Sequence, residues 1–317
     1  MFTGTVDGVT LEEHERRVSL SSGVALPVVR EASRRIAETA AQAEATAADA
    51  RPRASVQDWR NVRDAGAVWV RRGEVLAVLA PGNHPAVHAA WLEALGLGYR
   101  VAVRPSQREP FTPHRLVSAL RASGFGNDQV VLLPCDHVTA DVLVDAADRA
   151  LVYGGYDVAA TYTARSDVLV QGPGRSKVLL AQDDWRDHVG TTADSISGFG
   201  GTACVNASAV LVEGDAAAVA KELARRLGEL PVFPPLHENA VLPASPSNAH
   251  EQPQPTFGRR QPTPSSSPAR TSSPNWIRAA PCCVPQSCCS AGPPRRRHRS
   301  SCLSLVCGWF RGLVRMA

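Results

Sequence analysis

The 317-residue sequence lacks any apolar run long enough to cross a bilayer. Its opening, MFTGTVDGVTLEEHERR, has no apolar stretch of the kind that a secretory signal needs, and the apolar residues 303–314 are few and include Arg311. Only Cys135 and Cys204 precede residue 250, which excludes a disulfide framework for that part of the chain. These absences predict a cytoplasmic protein that does not act on a membrane.

Acidic residues and lysine are absent after Glu251. The formal net charge of +4 therefore hides two unlike parts, because residues 1–250 sum to −5 whereas residues 251–317 contain ten Arg against one Glu. Half of the 24 prolines and six of the eight cysteines lie from Pro243 onward. A stretch such as PTPSSSPARTSSP buries too little apolar surface to offset the entropy of ordering it. We expect residues 246–317 to form a disordered tail.

The origin of this tail has three interpretations. The chain uses 32 Arg and only two Lys, which is typical of a GC-rich gene, and out-of-frame translation of such a gene yields Arg, Pro, Ser, Ala and Cys. We favour this frameshift interpretation. Residues 295–299 (RRRHR) could instead neutralise nucleic-acid phosphates. The cysteine pairs at 282–283 and 288–289 could bind a metal, although adjacent cysteines are poor tetrahedral chelators. We therefore expect neither nucleic acid nor a metal ion as a partner.

Before the tail, short apolar runs alternate with helical segments. Because strands that alternate with helices pair in parallel, the pattern predicts a three-layer α/β fold. Strands are predicted at residues 67–70, 75–80, 100–103, 130–134, 150–153, 168–170, 178–180 and 209–213, and helices at residues 36–50, 85–97, 112–122, 141–147 and 215–227.

The usual dinucleotide fingerprint, G-x-G-x-x-G, is also absent. Ligands of parallel α/β sheets bind beyond the carboxyl ends of the strands. The turns at residues 81–85, 104–106 and 154–155 each follow a predicted strand, so we expect them to line one crevice. A nucleotide in that crevice must be held by other means than the usual motif.

Three segments in order along the chain resemble motifs of the aldehyde dehydrogenase superfamily. The turn PGNHP at residues 81–85 resembles the family's Pro-x-Asn-x-Pro. A helix and a strand follow it, and the strand runs into RPS at residues 104–106, which resembles the family's Lys-Pro-Ser. LVYGGYDVAATY, which contains Gly154-Gly155, resembles the second nucleotide turn of CoA-acylating members, and GGTACVNASAVLVEG resembles the nucleophile segment. The shared order and spacing, over residues 65–230, make the joint match far more specific than any one motif. The branch of acyl-CoA and acyl-protein thioester reductases, which includes the fatty-acid reductase of bacterial bioluminescence, is the most similar.

The resemblance implies a domain organisation. Residues 1–180 would form a Rossmann-like NAD(P)-binding domain, and residues 181–245 would begin an incomplete α/β catalytic domain that carries the thiol nucleophile. The family's catalytic domain normally continues further, with a second contact to the nicotinamide ribose and an oligomerisation strand, and the pattern is lost after about residue 240. Complete members are expected to be homo-oligomers through that strand.

Cys204 is the candidate nucleophile, since a thiolate can attack a carbonyl carbon and hold the acyl group as a thioester. The small residues GGTA at 200–203 leave room for a substrate, whereas a cysteine that only fills a buried space would need no such neighbours. The resemblance implies that the Asn83 amide and the Cys204 backbone N–H hold the developing oxyanion. The alternative for Asn83 is that it only forms the turn between Gly82 and Pro85, a common role of asparagine. Cys135 has no such context and is predicted to be a packing residue.

Gln171 is the informative departure from the family. Hydrolytic aldehyde dehydrogenases have a Glu before a Leu-Gly-Gly-Lys run, and this Glu activates water; aligning residues 174–176 on that run places Gln171 at its position. An amide cannot accept a proton at neutral pH, so it cannot act as this base. An alignment shifted by a residue or two is the alternative, but no acidic residue lies between Asp167 and Asp183.

The cofactor implied by the resemblance is NADPH or NADH. Pro81, Gly82, Gly154 and Gly155 would approach the nucleotide with their backbone. Ser106 belongs to the same motif, in which Arg104 stands for the family Lys that contacts the adenosine ribose. Gln107 takes the place of a Glu that repels a 2′-phosphate. Because Arg binds phosphate well when no carboxylate opposes it, NADPH is preferred.

Together these features predict an NAD(P)H-dependent reductase of acyl thioesters, with acyl-CoA or an acyl carrier as substrate and coenzyme A as co-substrate. A hydrolytic aldehyde dehydrogenase is the second interpretation, and a non-catalytic remnant that only binds nucleotide is the third.

Overall fold

The computed structural model describes residues 2–64, 66–181, 184–244, 275–278 and 314–316. Its centre is a five-stranded sheet in which all the strands are parallel, in the order β5-β4-β3-β6-β7. The strands are β3 (Val75–Leu79), β4 (Arg100–Arg104), β5 (Val130–Leu132), β6 (Arg149–Tyr153) and β7 (Val168–Gln171). The strand order reverses between β3 and β6, and this switch point is where ligands of doubly wound sheets bind.

Helices cover both faces of this sheet. The helices of the described chain are α1 (Leu11–Ser22), α2 (Leu26–Asp49), α3 (Ala89–Gly96), α4 (Phe111–Ala122), α5 (His137–Ala146), α6 (Tyr156–Tyr162), α7 (Trp185–Ser197) and α8 (Ala216–Gly228), with shorter 3-10 helices at Trp59–Asp64, Pro85–His88 and Gly198–Gly201. On β3, Leu76 and Val78 belong to one buried cluster with Trp91 of α3, whereas Ala77 belongs to another with Val144 of α5. Because successive strand residues point to opposite faces, the sheet forms the middle of three layers, as predicted.

A second sheet carries the nucleophile segment. Strand β8 (Ser176–Leu180) runs parallel to β9 (Ala207–Val212), and β10 (Asn275–Arg278) pairs antiparallel on the other side of β9. α7 and α8 pack on this sheet around Trp185, Val210 and Val219. A third small sheet consists of β1 (Ser55–Val56), β2 (Ala67–Arg71) and β11 (Val314–Met316).

Residues 231–244, which follow α8, pack against the N-terminal helices α1 and α2. The Leu26 backbone N–H, at the start of α2, donates to the Pro235 carbonyl at 2.8 Å. The Ala244 N–H donates to the Gly23 carbonyl at 2.7 Å. Residues 231–244 therefore connect the second sheet to the turn between α1 and α2.

The predicted strands are confirmed to within two residues at each end, but the helices differ more. α1, α6 and α7 were not predicted, and α2 begins ten residues before the predicted start because Pro27 lies in its first turn, where proline is tolerated. The predicted helix over residues 85–97 is a 3-10 turn followed by α3. β8 belongs to the second sheet, so the chain passes from the central sheet to the second sheet between Gln171 and Ser176. The predicted limits of the two domains stay a prediction.

The predicted tail, with its cysteine pairs and its basic run, lies outside the described residues except at β10 and β11, which the sequence did not predict. No helix in the described part of the chain is long and apolar enough to cross a membrane.

Candidate active site

A cavity of about 690 Å³ lies where the turns after β3 and β6 meet the segment that leads into β9. The cavity brings together five of the predicted site residues, Pro81, Asn83, Gly154, Gly155 and Cys204, with Gln171 beside them. The described residues that line it include no Asp and no Glu. Segments far apart in the sequence therefore meet at the switch point of the sheet.

Cys204 follows a tight turn that the side chain of Asn206, two residues further on, holds in place. The Asn206 Oδ1 accepts a hydrogen bond from the Ala203 N–H at 2.9 Å. Its Nδ2 donates to the carbonyls of Gly198 and Ser195, at 2.7 and 3.1 Å. These bonds clamp the turn against the end of α7 while the Cys204 side chain stays exposed. A thiol held on a fixed turn and open to the cavity is suited to attack a bound carbonyl. The sequence analysis missed Asn206, although its position two residues after the cysteine was visible.

Asn83 reaches the same turn from the opposite side. Its Nδ2 donates to the Thr202 carbonyl at 2.7 Å, which fixes the amide two residues before the nucleophile. An amide nitrogen carries two hydrogens, so one can anchor the side chain while the other serves as a donor. The Asn83 side chain therefore links the turn after β3 to the turn that precedes Cys204, and its role in holding an oxyanion stays a prediction.

Gln171 ends β7, pairs with Tyr153 of β6 and lines the cavity. The three residues after it pack tightly against the site. A Cβ atom on Gly172 would lie 2.2 Å from the Gly154 carbonyl oxygen, and one on Gly174 would lie 2.6 Å from the Cys204 carbonyl oxygen. Gln171 and Cys204 therefore line the same cavity.

His84 is buried in the first turn and caps the 3-10 helix that follows it. Its Nδ1 accepts from the Ala86 N–H at 3.2 Å, and its ring meets the edge of Phe199 at 5.4 Å. Burial, and to a lesser degree the charge of Arg35, lower the pKa of His84 to about 4. The imidazole is therefore neutral near pH 7. His84, Arg35 and Phe199 all line the cavity.

Arg104 ends β4, and Ser106 and Gln107 follow it at the same edge of the sheet. None of the three is among the residues that line the cavity. The Arg104 guanidinium is buried and its Nε donates to the Cys135 carbonyl at 3.2 Å, whereas Gln107 is exposed. Ser106 packs against the first turn, because a Cβ atom on Gly82 would lie 2.4 Å from the Ser106 Oγ. The turns at residues 81–85 and 154–155 thus line one cavity, as expected. The turn at residues 104–106 does not line it and contacts only Gly82 of the first turn.

The fold is similar to that of solved aldehyde dehydrogenases. An aldehyde dehydrogenase 21 from Physcomitrella patens, solved with succinate, is 17% identical with a TM-score of 0.59, over 73% of this chain and 51% of that one. An aldehyde dehydrogenase C variant from Pseudomonas syringae, solved with NAD⁺ and octanal, is 20% identical with a TM-score of 0.62, over 75% and 51%. A glyceraldehyde-3-phosphate dehydrogenase from Methanocaldococcus jannaschii, solved with NADP, is 16% identical with a TM-score of 0.59, over 73% of this chain and 53% of that one.

Within this class, the family model described as acyl-CoA reductase (LuxC) matches residues 44–241. The chain belongs to this acyl-CoA reductase family. It spans about half the length of the solved structures that it matches. No curated protein matches it.

Proposed function

We propose that the chain carries the site for NAD(P)H-dependent reduction of an acyl thioester, either acyl-CoA or an acyl carrier, to an aldehyde. The observation that supports this most is the composition of the cavity. A thiol, an amide donor and Gln171 line it, with no carboxylate among the described lining residues. Hydrolysis of an acyl-enzyme needs a base that activates water, whereas exchange with a second thiol does not.

In the proposed reaction, the Cys204 thiolate attacks the carbonyl carbon of the acyl thioester and forms a new C–S bond. The tetrahedral intermediate collapses with loss of the CoA or carrier thiolate, which leaves the acyl group on Cys204. The Asn83 amide and the Cys204 N–H would bear the negative oxygen, and one such donor is typically worth a factor of about 10²–10³ in rate. A reduced nicotinamide supplies hydride when bound, and departure of the Cys204 thiolate then frees the aldehyde.

The residues around the switch point fit a dinucleotide. A Cβ atom on Gly82 would meet the Ser106 Oγ, so the absence of a side chain at Gly82 lets the turn after β3 pack closely against the residues after β4. The buried Arg104 Nη2 has no hydrogen-bond partner among the described residues, and such an orphan donor suits a phosphate oxygen. With the neutral Gln107 beside it, this cation favours NADPH over NADH.

The test uses the full chain and a series of acyl-CoA substrates of increasing length. Release of free CoA thiol, and the added acyl mass on the peptide that contains Cys204, report the first half of the reaction; aldehyde formed with NADPH or with NADH reports the second. We expect Cys204→Ala to abolish acylation and aldehyde formation, and the matched Cys135→Ala to leave both unchanged.

Other outcomes would favour the other interpretations. Rapid release of free acid without a thiol acceptor would indicate a hydrolytic aldehyde dehydrogenase. Binding of NADPH without any acylation of Cys204 would indicate a remnant that binds nucleotide only. Turnover that survives in Cys204→Ala would refute the assignment of the nucleophile.

A further inference from the structure

Arg35 is the only Arg, Lys, Asp or Glu among the described residues that line the cavity. It lies near the middle of α2, and the sequence motifs give it no role. The imidazole of His84, which lines the same cavity, is neutral near pH 7. The cavity therefore carries one permanent positive charge on a largely apolar wall, where water screens a charge less than it does in bulk solvent.

Two contacts hold the Arg35 side chain in place. Its Nε donates to the Glu31 Oε1 at 2.7 Å, and its guanidinium lies over the ring of Phe199, 4.9 Å from the ring centroid. Phe199 has a φ of 53°, a left-handed conformation that a bulky residue rarely adopts. Strain of this kind is typical of positions where the backbone fixes a functional group. The turn at Phe199 thus keeps an aromatic ring beneath the cation.

The outer part of the Arg35 guanidinium has no acceptor among the described residues. A guanidinium has five N–H donors, and Glu31 takes only the one on Nε. His84, which meets the same Phe199 ring, has a second donor of this kind. Its Nδ1 accepts from the Ala86 N–H, so the neutral ring has its proton on Nε2, which is buried without a partner among the described residues. A charged donor and a neutral donor therefore contact one ring in the cavity wall.

We propose that Arg35 binds an oxyanion, a carboxylate or a phosphate, which the acyl thioester carries at a distance from its reacting carbonyl. A planar guanidinium donates two parallel hydrogen bonds to either group. The oxyanion has two sources, a carboxylate at the far end of the acyl chain and the phosphates of coenzyme A or of a carrier arm. The inference deepens the proposed function and rests on it, since it takes the cavity as the acyl-thioester site. Arg35 is then a residue of substrate specificity.

The test measures the binding of four thioethers to the full chain by calorimetric titration. A thioether has no carbonyl carbon that Cys204 can attack, so binding is measured whether or not the chain turns over. An S-butyl group and an S-(3-carboxypropyl) group are each carried on coenzyme A and on N-acetylcysteamine. The acyl side thus has or lacks a carboxylate, and the thiol side has or lacks phosphates.

The original chain is compared with Arg35→Gln, Arg35→Lys and Arg34→Gln. Arg34 is the matched control, because it precedes Arg35 on α2, also bonds to Glu31 and does not line the cavity. The basic run at residues 295–299 is present in every variant, so any binding of phosphate by that run cancels in the comparison.

We expect Arg35→Gln to weaken the binding of the thioethers that carry the recognised oxyanion by about fivefold to tenfold, the effect of losing hydrogen bonds to a charged group at a half-exposed side chain. Weaker binding of both carboxypropyl compounds identifies the carboxylate, and weaker binding of both coenzyme A compounds identifies a phosphate. Arg35→Lys keeps the charge and should lose less. Arg34→Gln should match the original chain, and the uncharged S-butyl-N-acetylcysteamine should bind equally to all the variants.

An equal loss for all four thioethers in Arg35→Gln would overturn the inference, because Arg35 would then only support the shape of the cavity. Unchanged binding, or no binding to the original chain, would overturn it as well. NADPH is titrated in parallel, and an effect of Arg35→Gln on NADPH alone would assign the cation to the nucleotide instead. If Arg35 governs the binding of the thioethers but acyl-CoA does not acylate Cys204, the proposed function fails and the oxyanion site stands.

Discussion

Replacing Glu109 with Gln should raise the free energy of unfolding more at pH 8 than at pH 5. Glu109 is 1% exposed, and its Oε1 accepts from the Thr112 N–H at 2.8 Å. Its Oε2 lies 4.0 Å from the Nε2 of His88, which is also fully buried. Trp91 Nε1 donates to the His88 Nδ1 at 3.0 Å, so the neutral imidazole keeps its proton on Nε2. The carboxylate form of Glu109 is thus buried without a full set of donors.

The size of the effect follows from the pKa. Burial raises the pKa of Glu109 from 4.5 to about 7. A carboxyl group with a raised pKa contributes stability below pH 4.5 and loses it as the pH rises through 7, because the native state then keeps a proton that the unfolded chain has released. The loss is complete at pH 8, where it amounts to about 3 kcal/mol, and is under about 1 kcal/mol at pH 5. Glutamine cannot ionise, so Glu109→Gln removes this loss. The increase in the free energy of unfolding caused by Glu109→Gln should therefore be about 2 to 3 kcal/mol larger at pH 8 than at pH 5.

Urea unfolding followed by tryptophan fluorescence measures this difference at both pH values. Burial lowers the pKa of His88 to about 3, so His88 is neutral in the native state of both proteins and its contribution cancels. Any cost of placing an amide beside His88 also cancels between the two pH values. The control is Glu44→Gln, which changes an exposed carboxyl on α2 and should act equally at both. An equal effect of Glu109→Gln at pH 5 and pH 8 would refute the reasoning.

Two further predictions concern the cavity wall and the connecting segment. Gln171→Glu should add release of free acid from acylated Cys204 without a thiol acceptor, since it restores a base; acylation without any acid release would show that residue 171 does not reach the thioester. A chain that ends at Leu230 should unfold at a clearly lower urea concentration than a chain that ends at Ala244. It loses the backbone bonds that Pro235 and Ala244 make with the N-terminal helices. Equal midpoints for the two truncated chains would contradict this.

The parallel sheet could be predicted because its strands are short apolar runs separated by helices. β3 and the middle of β6, residues 150–152, are buried on both faces and are apolar, and each strand ends at a turn with a specific motif. The sequence therefore indicated which turns lie at the carboxyl edge. It did not indicate α1, whose mean hydropathy is low and whose buried residues include His14 and Glu15.

The long-range contacts of polar side chains could not be predicted in the same way. Arg104 was expected to face a nucleotide, and the structure turns its Nε to the carbonyl of Cys135 on the neighbouring segment. Asn206 was not considered, because its three backbone partners come together only when α7 and β9 pack. Such bonds depend on the positions of several segments, and no local pattern records them.

The glycines after β7 explain why weak motifs combine into one site. Gly172 packs on the Gly154 carbonyl and Gly174 on the Cys204 carbonyl, at distances that leave no room for a Cβ atom. The segment between them therefore joins the second nucleotide turn to the nucleophile turn by direct backbone contact. Gln171 is held at the start of this segment by its pairing with Tyr153. Because backbone contact fixes the position, we expect the identity of the side chain at residue 171 to decide whether water or a thiol takes the acyl group in the proposed reaction, and a change of chemistry there would need no change of fold.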